Sequence, residues 1–303
     1  MDRLVWTSPT IEILKDFRAL PYRGSDTSWV NIYLLRRKYK LEIAVHDGVL
    51  YRYYHGKGPN RQGYGFPLSA GAYDREKAFW LIRQDAADRD GIRFCLCDEG
   101  QKESLSGAFD IEWNSEDGDN DYIYEREKWH DFAGRKYYRL RNRINSFNRL
   151  YPEAEYFPID SEARLQDAIR VSDIWQEERT RDMEMPDDEL TEEQACIMEA
   201  TKHWQELGMV GGVLYVDGAP VAATMASLLS DDCVDFHFDK AVGQYAYAGA
   251  TVISRRHFAA SDIAAGRQYL NLEEDMNIPG LRQSKESYRP VYKLAKYYGG
   301  ERS

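Results

Sequence analysis

The sequence lacks several things that would have identified it quickly. No apolar run approaches the ~20 residues that a membrane-crossing helix needs. The opening MDRLVWTSPTIEILKDF has early acids and no long apolar core, so no secretory signal is expected there. Cysteine is scarce: Cys95, Cys97, Cys196 and Cys233 form no C-x-x-C pair and no regular spacing. They read as buried thiols of a reducing compartment, so a cytoplasmic protein is expected. No Ser/His/Asp nucleophile set and no metal-ligand spacing stands out, so no metal is expected. The Gly-rich Gly56–Gly65 lacks the Gly-Lys-Ser/Thr ending of a phosphate loop and reads as a plain connection. Basic excess is also missing: 40 Lys+Arg against 51 Asp+Glu leave a net charge of −11. That balance argues against wholesale nucleic-acid binding.

The deficit is uneven. Residues 1–150 hold 25 basic and 23 acidic side chains, and residues 151–303 hold 15 and 28. A local basic track remains possible, because phosphate contacts act over about a Debye length of ~10 Å.

What is present is a length of 303 residues, enough for two domains, with 43% apolar and 13% aromatic residues. Two segments of similar plan follow one another. In the first, Thr27–Tyr39 reads as a helix. Alternating β-rich stretches at Leu41–Val45 and Val49–Tyr54 then flank a turn at His46-Asp47-Gly48. Arg75–Asp88 is a helical pattern, with strands at Ile92–Cys97 and Tyr122–Tyr124. In the second, Asp160–Glu178 is helical, capped by Ser161. Asp173–Gln194, with ten acids and two arginines around Met185-Pro186, reads as a solvated loop leading into a helix over Thr191–Leu207. Gly211–Val216 and Pro220–Leu229 form a hairpin about Asp217-Gly218. Cys233–Phe238 is a strand, Ala250–Ala260 a helix, Tyr269–Leu272 a strand, Arg282–Ser287 a short helix and Val291–Tyr297 the last strand. An α+β layer fold used twice is expected, with halves at 1–133 and 151–303.

Between the halves lies GRKYYRLRNRINSFNRL (134–150), with six basic residues and no acid. At 100° per residue Tyr137, Leu140, Ile144 and Phe147 form one apolar stripe, and Arg135, Arg139, Arg143 and Arg149 lie opposite. Three readings fit: a connector helix with a solvated back, a rail for phosphates suited to the guanidinium fork, or a surface helix touching anionic lipid heads.

Three separated stretches, DYIYEREKWHDFAGRKYYRLRNRINSF (121–147), FHFDKA (236–241) and NLEEDMNIPGLRQSKESYRP (271–290), resemble the soluble relatives of the phosphatidylglycerol lysyltransferase C-terminal domain. SDTSWVNIYLLRRKY near the start fits the same family. The resemblance implies a tandem pair of GNAT-type (acyl-CoA N-acyltransferase-like) folds, with mixed sheets and flanking helices and the site in the second half. It also implies transfer of an aminoacyl group from aminoacyl-tRNA to a hydroxyl or amine acceptor, such as a small molecule or a lipid headgroup. The alternatives are a CoA-dependent N-acyltransferase of a small amine, and a non-catalytic relative that binds tRNA or lipid heads.

Site candidates follow from the same stretches. Alternation in FHFDKA puts His237 and Asp239 on one strand face, with Phe236, Phe238 and Lys240 opposite. By resemblance Asp239 leads, as a partner for an α-ammonium or a guide for the attacking acceptor, and His237 is second. Asn271 ends a strand, and one of Glu273 and Glu274 could bind an amine or act as a base. Lys285 matches the family's Lys-rich run, while Ser287 departs from it. Arg282 and Lys285 are expected to meet a phosphate or the terminal adenosine, and Tyr288 to line the pocket. Arg135, Arg139 and Arg143 are the tRNA or phosphate contacts of the rail. The GNAT phosphate loop has its counterpart at Gln244–Ala250. Gly249 fits it, but Tyr247 stands where a glycine would let phosphates approach. CoA is therefore disfavoured and no cofactor is expected.

Overall fold

In the computed structural model, which describes residues 2–18, 20–182 and 187–302, both Asp-Gly turns close hairpins. Asp47-Gly48 and Asp217-Gly218 have positive φ at both residues, 51° and 73°, and 51° and 75°. Such turns match the twist of the strands they join. The first joins β1 (Glu42–His46) to β2 (Val49–His55), and the second joins β8 (Val210–Val216) to β9 (Ala219–Ser230). The chain is mixed α+β with two mixed sheets and flanking helices. It divides into two compact units, one of residues 1–122, 273–281 and 293–303, the other of 123–272 and 282–292. The division expected at residues 133 and 150 falls inside the second unit.

The first unit holds a six-stranded sheet of order β1-β2-β3-β4-β13-β5, adding β3 (Gln62–Tyr64), β4 (Arg93–Cys97), β5 (Ile111–Ser115) and β13 (Tyr297–Glu301). Its helices are α1 (Ile11–Leu14), α2 (Trp29–Leu34), α3 (Arg75–Ala86) and α4 (Glu99–Ser106). The Gly-rich stretch is more than a connection. It carries β3, which runs antiparallel to β2 and parallel to β4. Gly63 permits the approach, since a Cβ there would stand 2.4 Å from the Arg93 carbonyl oxygen. The helix expected over Thr27–Tyr39 is shorter. Ser28 caps α2, its hydroxyl accepting from the Asn31 amide at 3.4 Å, and every residue of α2 is buried.

The other sheet has seven strands in the order β12-β6-β11-β10-β9-β8-β7. Its further strands are β6 (Asp121–Glu125), β7 (Glu155–Pro158), β10 (Cys233–Ala241), β11 (Tyr269–Asn271) and β12 (Tyr292–Leu294), and it belongs to the second unit except for Asp121, Tyr122, Lys293 and Leu294. The helices of the second unit are α5 (Lys128–Asp131), α6 (Tyr138–Leu150), α7 (Glu162–Asp182), α8 (Asp187–Lys202), α9 (Gly243–Ala248) and α10 (Ala250–Ala260), and α11 (Pro279–Ser287) enters it from Arg282 on. The acidic segment expected as a loop is helical up to Asp182 and again from Asp187. Met185-Pro186 lies outside the described residues. The basic stretch does fold as a helix on its apolar stripe, with Tyr137, Leu140, Ile144 and Phe147 all buried. Among the described residues no helix is long and apolar enough to cross a membrane.

The tail's place in the first unit is fixed by charge. Lys296, 3% exposed, donates to Asp121 at 2.7 Å, Asp26 at 3.0 Å and Ser25 Oγ at 2.9 Å. Asp121, fully buried, also accepts from the Ser25 amide at 2.6 Å. Burial alone would discharge the ammonium, but Asp121 and Asp26 hold its pKa well above the ordinary value. Removing one partner of such a group strands the others. Lys296→Met should therefore cost about 3–5 kcal/mol, read in denaturant unfolding, and adding Asp121→Asn should recover part of it. Unchanged stability of Lys296→Met would contradict this network.

Candidate functional site

The site is set by a one-residue irregularity in β10. Opposite β9, Phe236 pairs with Ala226 but Phe238 pairs with Met225, leaving His237 as the extra residue of a bulge. A bulge breaks the two-residue alternation. Asp239, paired with Thr224, is thereby turned to the face that α10 covers, while His237 stays with Asp235 and Ser227. The expectation that His237 and Asp239 share a face is thus corrected. Phe236 packs on Phe258 of α10, centroids 4.9 Å apart, and Lys240, on the other face, lies 3.5 Å over the Trp175 ring of α7.

On the α10 face Asp239 is tightly held. Arg255 Nε donates to Oδ2, and Thr224 Oγ1 donates to Oδ1 at 3.0 Å. The Thr224 hydroxyl has one proton and spends it on Asp239, so Ser254 Oγ, 3.0 Å away, donates to Thr224. Asp239 and Arg255 side chains are each 9% exposed. Burial works against the Arg255 cation, but Asp239 beside it keeps its pKa raised. Tyr288, 3% exposed, stacks under the Arg255 guanidinium at 4.6 Å and on Trp129 at 4.9 Å. Burial raises the Tyr288 pKa, with Arg255 and Arg143 opposing.

The row continues across the sheet. Thr224 pairs with Gly212 of β8, and Tyr156 from β7 lays its hydroxyl over Gly212, 2.0 Å from where a Cβ would stand. Only glycine leaves room for that phenol. The Tyr156 ring stacks on His257 of α10 at 5.2 Å and 13°. Its pKa is raised by burial and then by the Asp239 charge, so it is a neutral hydroxyl. Tyr156 Oη and Arg255 Nη1 are buried with no hydrogen-bond partner. Buried polar groups are nearly always paired, and of these two side chains Arg255 is the one bonded to Asp239, through its Nε.

The other candidates are distributed as follows. His237 Nε2 lies 2.7 Å from Ser227 Oγ, and its Nδ1 lies 3.9 Å from Asp235, beyond hydrogen-bond length. Lys285, 6% exposed, donates to the Leu272 carbonyl at 2.5 Å, and its own carbonyl accepts from Tyr124 Oη at 2.8 Å. These bonds tie α11 to the end of β11. Arg282 is half-buried on α11, and Asn271 is fully buried at the end of β11. Glu273 and Glu274 belong to the first unit. There Glu273 accepts from Asn31 Nδ2 at 2.9 Å, and Glu274 faces Arg61 at 3.6 Å. Tyr247 sits on α9 and is 84% exposed, so its ring stands in solvent rather than over the start of α10. Gly249, at φ 115°, joins α9 to α10 and lies against Arg143: a Cβ on it would be 3.6 Å from that residue's backbone oxygen. Arg139 and Arg143 are exposed on α6, and Arg135 is exposed in the turn that precedes it.

Sequence reasoning passed over Arg255, Thr224, Ser254 and Tyr156. The available signals were an arginine inside the apolar ATVISRRHFAA, a threonine inside the apolar β9, and the glycine pair Gly211-Gly212 within a strand.

The fold is that of a tandem GNAT protein. It matches one from the clavulanic acid biosynthesis pathway with a TM-score of 0.50 and 11% identity, over 99% of this chain and 98% of that one. More specifically, residues 17–299 match the family model described as phosphatidylglycerol lysyltransferase, C-terminal, and the chain belongs to that family. It is similar to a conserved protein of unknown function from Bacteroides thetaiotaomicron VPI-5482, at 25% identity and TM-score 0.87, covering 99% and 100% of the two chains. L-PGS from Bacillus licheniformis is 15% identical with a TM-score of 0.64, covering 98% and 94%. No curated protein matches.

The contact of Tyr156 with Gly212 gives a direct test of this geometry. Gly212→Ala should cost about 1–3 kcal/mol by overpacking. In a Tyr156→Ala background the same change should cost clearly less, because the clashing ring is gone. Additive costs in the double-mutant cycle would contradict the placement.

Proposed function

We propose that this protein transfers an aminoacyl group from aminoacyl-tRNA to a hydroxyl or amine acceptor, in the cytoplasm. The observation that carries this reading is that the basic helix and the Asp239 centre meet within the second unit. Arg143 of α6 lies against Gly249 at the start of α10, the helix that carries Arg255. Exposed Arg139 on the same helix and Arg135 in the turn before it would extend this into a phosphate track. Arg141 is the exception, since its guanidinium caps the carbonyls of Phe132 and Gly134.

The chemistry asks little of the protein beyond placement. The donor ester is already activated. The acceptor nitrogen or oxygen forms the new bond to the carbonyl carbon, the bond to the ribose oxygen breaks, and that oxygen receives the acceptor's proton. No covalent enzyme intermediate is needed, and positioning and fixed charges supply the rate enhancement. Family membership supports the donor class, and the acceptor is left open.

A second reading, a CoA-dependent N-acyltransferase, draws support from two features. β10 runs on to Ala241 while its pairing with β11 covers only Cys233–Asp235, and the outward Tyr247 leaves the start of α10 unobstructed by its ring. Against it, the buried Asp239–Arg255 pair suits a polar acyl group rather than an acetyl group.

Two measurements separate these. Arg139→Glu, alone and with Arg143→Glu, should weaken tRNA binding and lower the salt slope of log Kd by about 1 for each phosphate no longer neutralised. Binding unchanged in both variants would remove the rail. Because Arg139 is exposed, its single variant keeps the test independent of folding. Calorimetry with acetyl-CoA should show no binding at micromolar concentrations, and micromolar affinity would favour the second reading.

A further inference from the structure

We propose that Asp235, His237 and Asn271 form a site for one divalent transition-metal ion, on the sheet face away from α10. The proposal is independent of the aminoacyl-transfer reading. Ser227 of β9, Asp235 of β10 and Asn271 of β11 are register partners in one cross-strand row. Register partners direct their side chains to the same side of a sheet. All three are buried, Ser227 at 1% exposure and the other two at 0%. Phe236, next to Asp235, packs on Phe258 of α10, so alternation turns this row to the opposite face. The bulge adds a fourth member. His237, its side chain 1% exposed, places Nε2 2.7 Å from Ser227 Oγ. Spacing along the chain hides this set, because its members come from three strands and one irregular residue.

The donor chemistry points to a metal. With its ring proton on Nε2 and donated to Ser227, His237 turns the lone pair of Nδ1 toward Asp235 Oδ2, 3.9 Å away. That separation is too long for a hydrogen bond. It is the separation of two ligands on one ion, since two metal–ligand bonds of about 2.0–2.2 Å hold their outer atoms roughly 3–4 Å apart. A ligating histidine usually gives its other ring N–H to a neighbour, which fixes the tautomer, and Ser227 fills that role. Asn271 brings a carboxamide oxygen alongside Asp235. One imidazole nitrogen with carboxylate and amide oxygens suits Zn²⁺ or Mn²⁺. The place in the fold gives the ion its role. Pairing of β10 with β11 ends at Asp235 and Asn271, where the two strands part. An ion at this fork would brace the bulge that turns Asp239 toward α10. It would act by positioning, without touching substrate.

The test incubates the untagged protein with Zn²⁺ or Mn²⁺, desalts it and weighs it by native mass spectrometry. The wild type should retain one equivalent of at least one of these ions. Asp235→Asn and His237→Gln should each lose it. Ser227→Ala leaves all three ligands in place and should weaken the affinity about tenfold, read by competition with a chromogenic chelator. Because that variant removes a single oxygen, it carries the test should the ligand variants not fold. No retained ion in the wild type would overturn the proposal, as would unchanged affinity in Ser227→Ala. Equal retention by folded Asp235→Asn or His237→Gln would also overturn it, marking an adventitious ion held elsewhere.

Discussion

The ion pair between Asp239 and Arg255 is the interaction on which the candidate site depends. Two charges with side chains 9% exposed persist only because each answers the other, and losing one partner of such a pair typically costs several kcal/mol. Much of the second unit serves this pair. The bulge at His237 turns Asp239 toward α10, Thr224 donates to it and is itself bonded to Ser254, and the Arg255 guanidinium lies 4.6 Å from the Tyr288 ring centre. Trp129 then backs Tyr288.

A comparable device serves the first unit at Lys296. Its ammonium, Asp121 and Asp26 form a buried set drawn from distant parts of the chain. The acids that follow Asn271 join the same unit. Asp275, fully buried, accepts from Tyr122 Oη at 2.6 Å and caps the turn through the Asn277 amide at 2.8 Å. In what reads in the sequence as an acidic patch, each acid has a named partner: Asn31, Arg61 and Tyr122.

Much of the fold was legible because it rests on local chemistry. The two Asp-Gly turns, the Ser161 cap and the apolar stripe of α6 depend on residues a few positions apart. The bulge at His237 has no such signal. Phe236 to Asp239 alternates apolar and polar residues, and a single unpaired residue reverses the faces of all that follows. β13 was missed for a related reason: Tyr297–Glu301 carries two glycines and owes its strand state to β4 and β5 on either side. The same limit applies to the site. Asp239 stood out as a carboxylate near the end of a strand. Arg255 and Tyr156 acquire their significance only from what they face, and a helix or strand pattern is silent about that. Lys285, which a motif match made a phosphate ligand, is found fastened to the Leu272 carbonyl.

The central claim is that the Asp239 centre carries out aminoacyl transfer. The most direct measurement incubates the protein with charged tRNA and a small-molecule and lipid extract, and follows the products by mass spectrometry. A product heavier than its parent by an aminoacyl group is predicted, dependent on charged tRNA and lost in Asp239→Asn. Such a product formed equally well by Asp239→Asn, or no product from the wild-type protein, would contradict the account.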